Sequence, residues 1–354
     1  MSASPIAADD RFLAIVVAAS AAMFAVAVGL CAALIARRVA RNRHLRRRAM
    51  RQAAFRRWLE HRVEADPETD RDLCDAPDCG PADAAEAVLH LLRTVGGTRA
   101  ERLVSLTVEC GLEQRLIRAT RDGVRGARMC ALRVLGYLDT QASLSCIAEW
   151  LDSRDSYVRL TAAHAMVRRR SHGHLNDVVR AFLQTFPSNH QGLGALLAGY
   201  GRYGTPRIEA MTRRADGPVA ITAGLQALAL LMPPRTALDL AALAAHADPR
   251  VRAAAIALSC VTQHDGPAEP VALGLRDADT GVRISAAKTA CELRRADFLP
   301  ALHDLTRDPS LWVRYWAYRA VGATGGTGTQ FLATLSRTDP LAADVILETE
   351  SGYV

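Results

Sequence analysis

Apolar residues recur along much of the chain at i, i+4 and i+8, the stripe of an amphipathic helix. Ala131, Ala162, Ala223, Ala255, Ala286 and Ala317 hold the middle position of such stripes. Each lies four residues after Ala127, Val158, Val219, Val251, Val282 or Val313. Leu135, Met166, Ala290 and Val321 continue the stripe four residues later. Turns carrying Asp152, Asp155, Asp248, Pro249, Asp277, Asp279, Asp308 and Pro309 precede the stripes. Aspartate there caps free amides and suits the helix dipole, and proline is tolerated in a first turn. Second apolar segments at 144–151, 175–186, 237–246 and 298–305 lie between the stripes, so each unit is expected to hold two helices.

The units repeat. Val251, Val282 and Val313 are each followed by arginine and stand 31 residues apart. Val219 lies 32 residues before Val251, Val158 lies 61 before Val219, and Ala127 lies 31 before Val158. Laying "ARMCALRVLG" over "VRYWAYRAVG" matches Arg128 to Arg314, Ala131 to Ala317 and Gly136 to Gly322. Arginine and glycine keep the phase, so an alanine-rich composition does not by itself generate it. A two-helix unit of this length cannot bury its apolar face alone; stacked neighbours can.

The first sixty residues follow another pattern. Residues 12–36 form 25 positions without a charge. As a helix they would extend about 37 Å, enough for a hydrocarbon core of about 30 Å. The preceding "MSASPIAADDR" is not a basic signal-peptide flank. Ten arginines and no acid follow between Arg37 and Arg57. They include Arg37, Arg38, Arg41, Arg43, Arg46, Arg47, Arg48 and Arg51, placed to fix topology and meet anionic lipid headgroups. The expected division is a short extracytoplasmic N-terminus (1–11), a transmembrane helix (12–36), a basic juxtamembrane helix (37–63), a linker (64–81) and an α-solenoid (82–354). The helix over 82–95 would start or cap the stack. The positive-inside rule places the solenoid in the cytoplasm, at the inner membrane.

The net charge of +7 is therefore local: the arginine segment supplies +10 and the other residues together carry −3. That balance argues against nucleic acid as a partner. Aromatics make up 5% and half the chain is hydrophobic, which favours helix over sheet. Cys74 and Cys79 in "CDAPDC" lack the CxxC or histidine pair of a metal site. "HGH" at His172–His174 lacks a third ligand, and "GGTGT" at Gly325–Thr329 lacks the lysine of a phosphate loop. His164 falls within a Val-Arg helix and is expected to be packed. No catalytic constellation, cofactor or small-molecule substrate is expected.

The turn aspartate followed by "VRxxAxxAL" resembles the HEAT repeat, especially the short HEAT-like class also found in phycobilisome lyases. The resemblance runs from about Gly97 to the C-terminus. It is strong over Val158–Ser171 and Asp248–Gly322 and weak over Asn189–Gly201. It implies an all-α solenoid whose Val-Arg helices line the concave face, with turn aspartates and helix arginines forming ladders between repeats. Arg128, Arg159, Arg252, Arg283 and Arg314 would then be structural; the alternative is a basic stripe for an acidic ligand. The implied function is a non-enzymatic scaffold for a membrane-associated protein partner, such as a polysaccharide synthase or secretion complex. A bilin-lyase-like enzyme and a membrane-tethered sensor are the alternatives.

The stretch from Asp308 to Gly322 concentrates aromatics. Trp312, Tyr315, Trp316 and Tyr318 stand at repeat positions −1, +2, +3 and +5, beside Arg319. At +3 the other units carry small residues such as Cys130, Ala254 and Ser285. Two readings stay open: a plug closing the last units under the short segment Asp339–Glu348, or a partner-binding hot spot.

Overall fold

The computed structural model describes residues 6–64, 76–262 and 268–351; of these, the side chains of 6–22, 24–27, 44 and 350 are not described. Among the described residues the chain is all-helical, and it divides into two units, 1–112 and 113–354.

Unit 1 holds α1 (Ile6–Glu64), α2 (Pro81–Thr94) and α3 (Thr98–Glu109). The separate membrane and juxtamembrane helices expected over 12–36 and 37–63 are one continuous α1. Its last third is not merely a basic spacer. Phe55 and Leu59 are fully buried where α1 meets α2 and α3, together with Val88, Leu91, Leu103 and Leu106. Burying side chains of this size contributes about 1.5–3 kcal/mol each. The dense arginines around Phe55 and Leu59 mask this apolar face in the sequence. Arg48, one of the eight predicted headgroup contacts, is occupied: its Nε lies 2.7 and 2.8 Å from the two carboxylate oxygens of Asp83 on α2. That pairing holds its guanidinium pKa above the ordinary value.

The membrane span finds no support here. Among the described residues no helix is long and apolar enough to cross a membrane. Most side chains of the 12–36 run lie outside the described residues, as do 1–5 of the predicted extracytoplasmic segment and 65–75 of the predicted linker.

Unit 2 carries the repeats. Its helices are α4 (Leu112–Asp122), α5 (Arg125–Leu135), α6 (Gln141–Glu149), α7 (Ser156–Arg168), α8 (Leu175–Leu183), α9 (His190–Ala198), α10 (Thr205–Arg214) and α11 (Pro218–Leu231). They continue as α12 (Leu240–Ala244), α13 (Pro249–Thr262), α14 (Glu269–Gly274), α15 (Thr280–Leu293), α16 (Leu299–Leu305), α17 (Leu311–Ala323), α18 (Thr327–Leu335) and α19 (Pro340–Glu350). Successive odd-numbered helices from α5 to α19 pack on one another and form one row; the even-numbered helices pack beside them. This linear succession is the repeat solenoid expected from the 31-residue period.

The stripe is the seam of the odd row. Val158, Val251, Val282 and Val313 are fully buried, as are Ala131, Ala162, Ala255, Ala286 and Ala317 one turn later. Alanine there lets adjacent helix backbones approach. One assignment shifts by a residue: Ala220, not Val219, is buried at the start of α11, which places it 31 rather than 32 residues before Val251. The turn aspartates act as expected: Asp155, Asp279 and Asp339 accept hydrogen bonds from the first amides of α7, α15 and α19. Two glycines are fixed by packing. A Cβ on Gly224 would lie 1.9 Å from Thr212 Oγ1 of α10, and one on Gly136 would lie 2.8 Å from Ala165 Cα of α7.

Candidate partner-binding surface

The arginine one residue after the buried valine leaves the seam and binds the turns. Arg252 places Nε and Nη2 each 2.7 Å from the carboxylate oxygens of Asp277 in the next unit, while Nη1 donates to His246 O and Ala247 O. Arg283 repeats this one unit on, with Nε 2.8 Å from Asp308 and Nη1 donating to Asp277 O and Ala278 O. Arg314 donates to Asp308 O at 2.9 Å. Arg159 serves Ser153 O and Thr185 Oγ1, and Arg128 serves Thr120 O with its guanidinium 4.5 Å from the Trp150 ring. These five arginines satisfy helix-end carbonyls and buried carboxylates. Arg252 and Arg283 form the aspartate–arginine ladder implied by the resemblance, while Arg128, Arg159 and Arg314 bind turn and helix-end carbonyls without a carboxylate partner among the described residues. Hydrogen bonding from Arg252 holds the Asp277 carboxyl below the ordinary range. The ladder is interrupted at α9 and α11, where His190 and Ile221 stand in the arginine's place.

Polar and cationic side chains nevertheless reach the open side of the odd row from position +6, which sequence reasoning overlooked. Arg133, His164 and Lys288 are exposed there, and Arg319 is half-buried. His164 is therefore at the surface, not packed, because +6 points away from the seam. Partial desolvation, with Arg168 and Arg133 adding, holds its imidazole below the ordinary value. The only sequence signal was the recurrence of polar residues at one fixed offset. Nearby aromatics are paired with cations. Arg168 lies 4.4 Å from the Tyr137 ring and donates to its hydroxyl, and Arg125 lies 4.5 Å from the Tyr157 ring while pairing with Asp155 at 3.0 Å.

The α17 aromatics separate into two roles. Tyr318 is 1% exposed. Its hydroxyl sits 2.5 Å from Asp339 Oδ2 and 3.2 Å from Thr306 O, tying α17 to the start of α19 and the end of α16. Burial pushes its phenol pKa up, and the hydrogen bond to Asp339 adds to that. Tyr318 thus closes the last units. The other three form a second cluster in which Trp312 is exposed and Tyr315 and Trp316 are half-buried against the core. Trp312 is 60% exposed and meets the Tyr315 ring edge-on at 5.9 Å. Tyr315 donates to Glu348 Oε2 at 2.7 Å and accepts from Arg319 Nη1 at 3.1 Å. The Trp316 ring lies between Lys288 Nζ at 4.7 Å and the Arg319 guanidinium at 5.2 Å.

Among the described residues no group of three or more His, Cys, Asp and Glu is placed to hold a metal ion. Cys79 is buried, and Cys74 lies outside the described residues. "HGH" forms a short 3-10 turn in which His174 Nδ1 meets Asp177, and "GGTGT" supplies the turn into α18. Burial pushes the thiols of Cys146 and Cys291 up, and that of Cys260 to about 12. All three are consequently poor nucleophiles.

The HEAT repeats family matches residues 268–348 of this chain, from α14 to α19. No curated protein matches it. Among solved structures, Kap121p bound to Ste12p is similar at 14% identity and a TM-score of 0.39, over 79% of this chain and 36% of that one. An engineered protein is similar at 17% identity and a TM-score of 0.36, over 81% and 86% of the two chains. Human deoxyhypusine hydroxylase in complex with glycerol is similar at 15% identity and a TM-score of 0.30, over 69% and 96%. The chain thus spans about a third of the length of Kap121p, and its C-terminal repeats match the HEAT family.

Proposed function

We propose that the protein is a non-enzymatic HEAT-repeat scaffold that docks a protein partner on the open side of its odd-helix row. The observation that carries this reading is the Trp312–Tyr315–Trp316 cluster beside Lys288 and Arg319, in which Trp312 is exposed and Tyr315 and Trp316 are half-buried, Tyr315 being held by Glu348 of α19. Exposed tryptophan and tyrosine beside arginine are the residue types in which interface energy concentrates. The raised pKa values of Cys146, Cys260 and Cys291, the first two of them buried, run against the bilin-lyase-like alternative.

The second part of the proposal is a tether: the N-terminal helix anchors the chain in the inner membrane with its C-terminal side in the cytoplasm. Support for it comes from sequence alone. The uncharged run 12–36 is followed by Arg37, Arg38, Arg41, Arg43, Arg46, Arg47 and Arg51, all exposed, which suit anionic headgroups. A tether would restrict partners to membrane-associated proteins, and an envelope assembly of the polysaccharide synthase or secretion type fits that restriction. Detergent copurification with mass spectrometry tests the pair of claims. A membrane protein recovered with the wild type and lost with Trp312→Ala/Trp316→Ala is expected. Recovery of the full chain in the soluble fraction contradicts the tether, and an unchanged set of copurifying proteins contradicts the docking surface.

A further inference from the structure

At the end of the row, α15, α17, α18 and α19 line a half-open cavity of about 730 Å³. That size lies within the range of about 300–1,000 Å³ typical of ligand sites. It exists because α17 ends in small residues: Ala323 lines the cavity where Tyr137 and Arg168 stand in earlier units. Leu332 of α18 and Ile346 of α19 supply apolar walls.

Two guanidiniums border this apolar space. Arg319 reaches it from α17 and Arg294 from the end of α15, where Arg294 adopts a left-handed conformation with φ 53°. Among the described residues neither has a carboxylate within ion-pair distance, unlike Arg252 and Arg283 of the ladder. The nearby acids are engaged elsewhere: Glu348 accepts from Tyr315, and Glu292 accepts from the Cys260 thiol. Burial pushes the Cys291 thiol on the cavity wall up, with Arg319 and Arg294 pulling it down and Glu292 pushing it up. Arg319 also continues the charge outward, over the Trp316 ring and toward Lys288.

We infer that this cavity and the adjoining Lys288–Trp316–Arg319 row bind an acidic amphipathic peptide segment. An apolar side chain of the segment enters between Ala323, Leu332 and Ile346, and its carboxylates pair with Arg294 and Arg319. The inference rests on the reading of this face as partner-binding and adds the chemistry of the partner. A carboxylate supplied there gives each guanidinium the acidic partner it lacks among the described residues, beside the Tyr315 and Trp316 contacts Arg319 already makes, and the apolar walls select a segment that carries leucine or phenylalanine beside its acids. The adjoining Trp316 ring and Lys288 offer further polar and aromatic contacts outside the cavity, which a segment with several side chains can meet and a single carboxylate cannot.

Fluorescence polarisation on the full chain in detergent tests this. The probe is a fluorescein-labelled peptide of about a dozen residues built from Leu, Phe and Glu. Saturable binding at low ionic strength is expected, weakening as salt is added. Replacing its Glu by Gln, or using Arg294→Gln/Arg319→Gln protein, should weaken binding at least about tenfold. Ala323→Trp, which fills the cavity, should do the same, while Arg294→Lys/Arg319→Lys retains most of the affinity. Circular dichroism melts matching the wild type show that each variant is folded. Should Ala323→Trp unfold, Ala323→Leu gives the same reading. Equal affinity across the variants, no binding by the wild type, or binding of decanoate in place of the peptide overturns the proposal. If the Trp312-dependent partner still copurifies with Arg294→Gln/Arg319→Gln, the docking surface stands and the cavity proposal falls.

Discussion

Arg252 and Asp277 meet fork to fork, with Nε and Nη2 each 2.7 Å from a carboxylate oxygen, across the junction between one repeat and the next. Both side chains are mostly buried, at 17% and 13% exposure. Arg283 and Asp308 reproduce the contact one unit later. Each arginine also binds the carbonyls that end its own preceding turn, so it welds the turn, its own helix and the next unit together. Removing either partner leaves a desolvated charge behind. Asp277→Ala should therefore destabilise the fold by about 2–4 kcal/mol. The Arg252→Ala/Asp277→Ala cycle should show a coupling of about 1–3 kcal/mol by urea denaturation.

The same carboxylates set the response to acid. Asp277 is held below its ordinary pKa by hydrogen bonding from Arg252, and Asp248 is held at about 2 chiefly by hydrogen bonding from Arg250. A carboxyl whose folded pKa is depressed stabilises the protein above its unfolded value of about 3.9, and that contribution fades as pH falls toward the folded value. Thermal midpoints should therefore drop between about pH 4 and pH 2. The Asp277→Asn variant, already less stable at pH 7, should show a shallower drop over that window. A variant whose acid slope matches the wild type contradicts the assignment.

Gly224 tests the packing of α11 on α10. Ala is the usual residue at this position of the seam, yet a Cβ here would lie 1.9 Å from Thr212 Oγ1. Gly224→Ala should destabilise by about 1–3 kcal/mol through overpacking. Adding Thr212→Ala frees the space and should recover most of that loss in chemical denaturation.

The two roles within α17 are separable. Tyr318→Phe removes the hydroxyl that links Asp339 and Thr306, and should lower stability by about 1–2 kcal/mol. Trp312→Ala acts on a residue that is mostly exposed and should change stability by no more than about 0.5 kcal/mol. Calorimetry on the two variants distinguishes a closing residue from a docking residue; equal effects contradict the division.

Much of this architecture was legible in the chain. The ladder could be read because Asp and Arg hold the same phase in unit after unit, and the seam because Val and Ala recur at fixed offsets. The phase of α11 was misread because Val219 and Ala220 are adjacent and only burial distinguishes them. Phe55 and Leu59 were hidden by the arginines around them, so the packing of α1 on α2 and α3 was missed. The cavity had no signature at all. It depends on what Ala323 fails to fill once α18 and α19 are in place, and nothing in the sequence marks Arg294 as a lining residue.

The central claim is that one side of the odd-helix row, ending at Trp312 and Lys288, is where another protein docks. Photocrosslinking in cells tests it most directly, with p-benzoylphenylalanine replacing Trp312 or Lys288 on that row and Asn176 or Gln330 on the even row. The account predicts one discrete adduct from the first pair and none from the second; adducts from the even row alone, or from neither, contradict it.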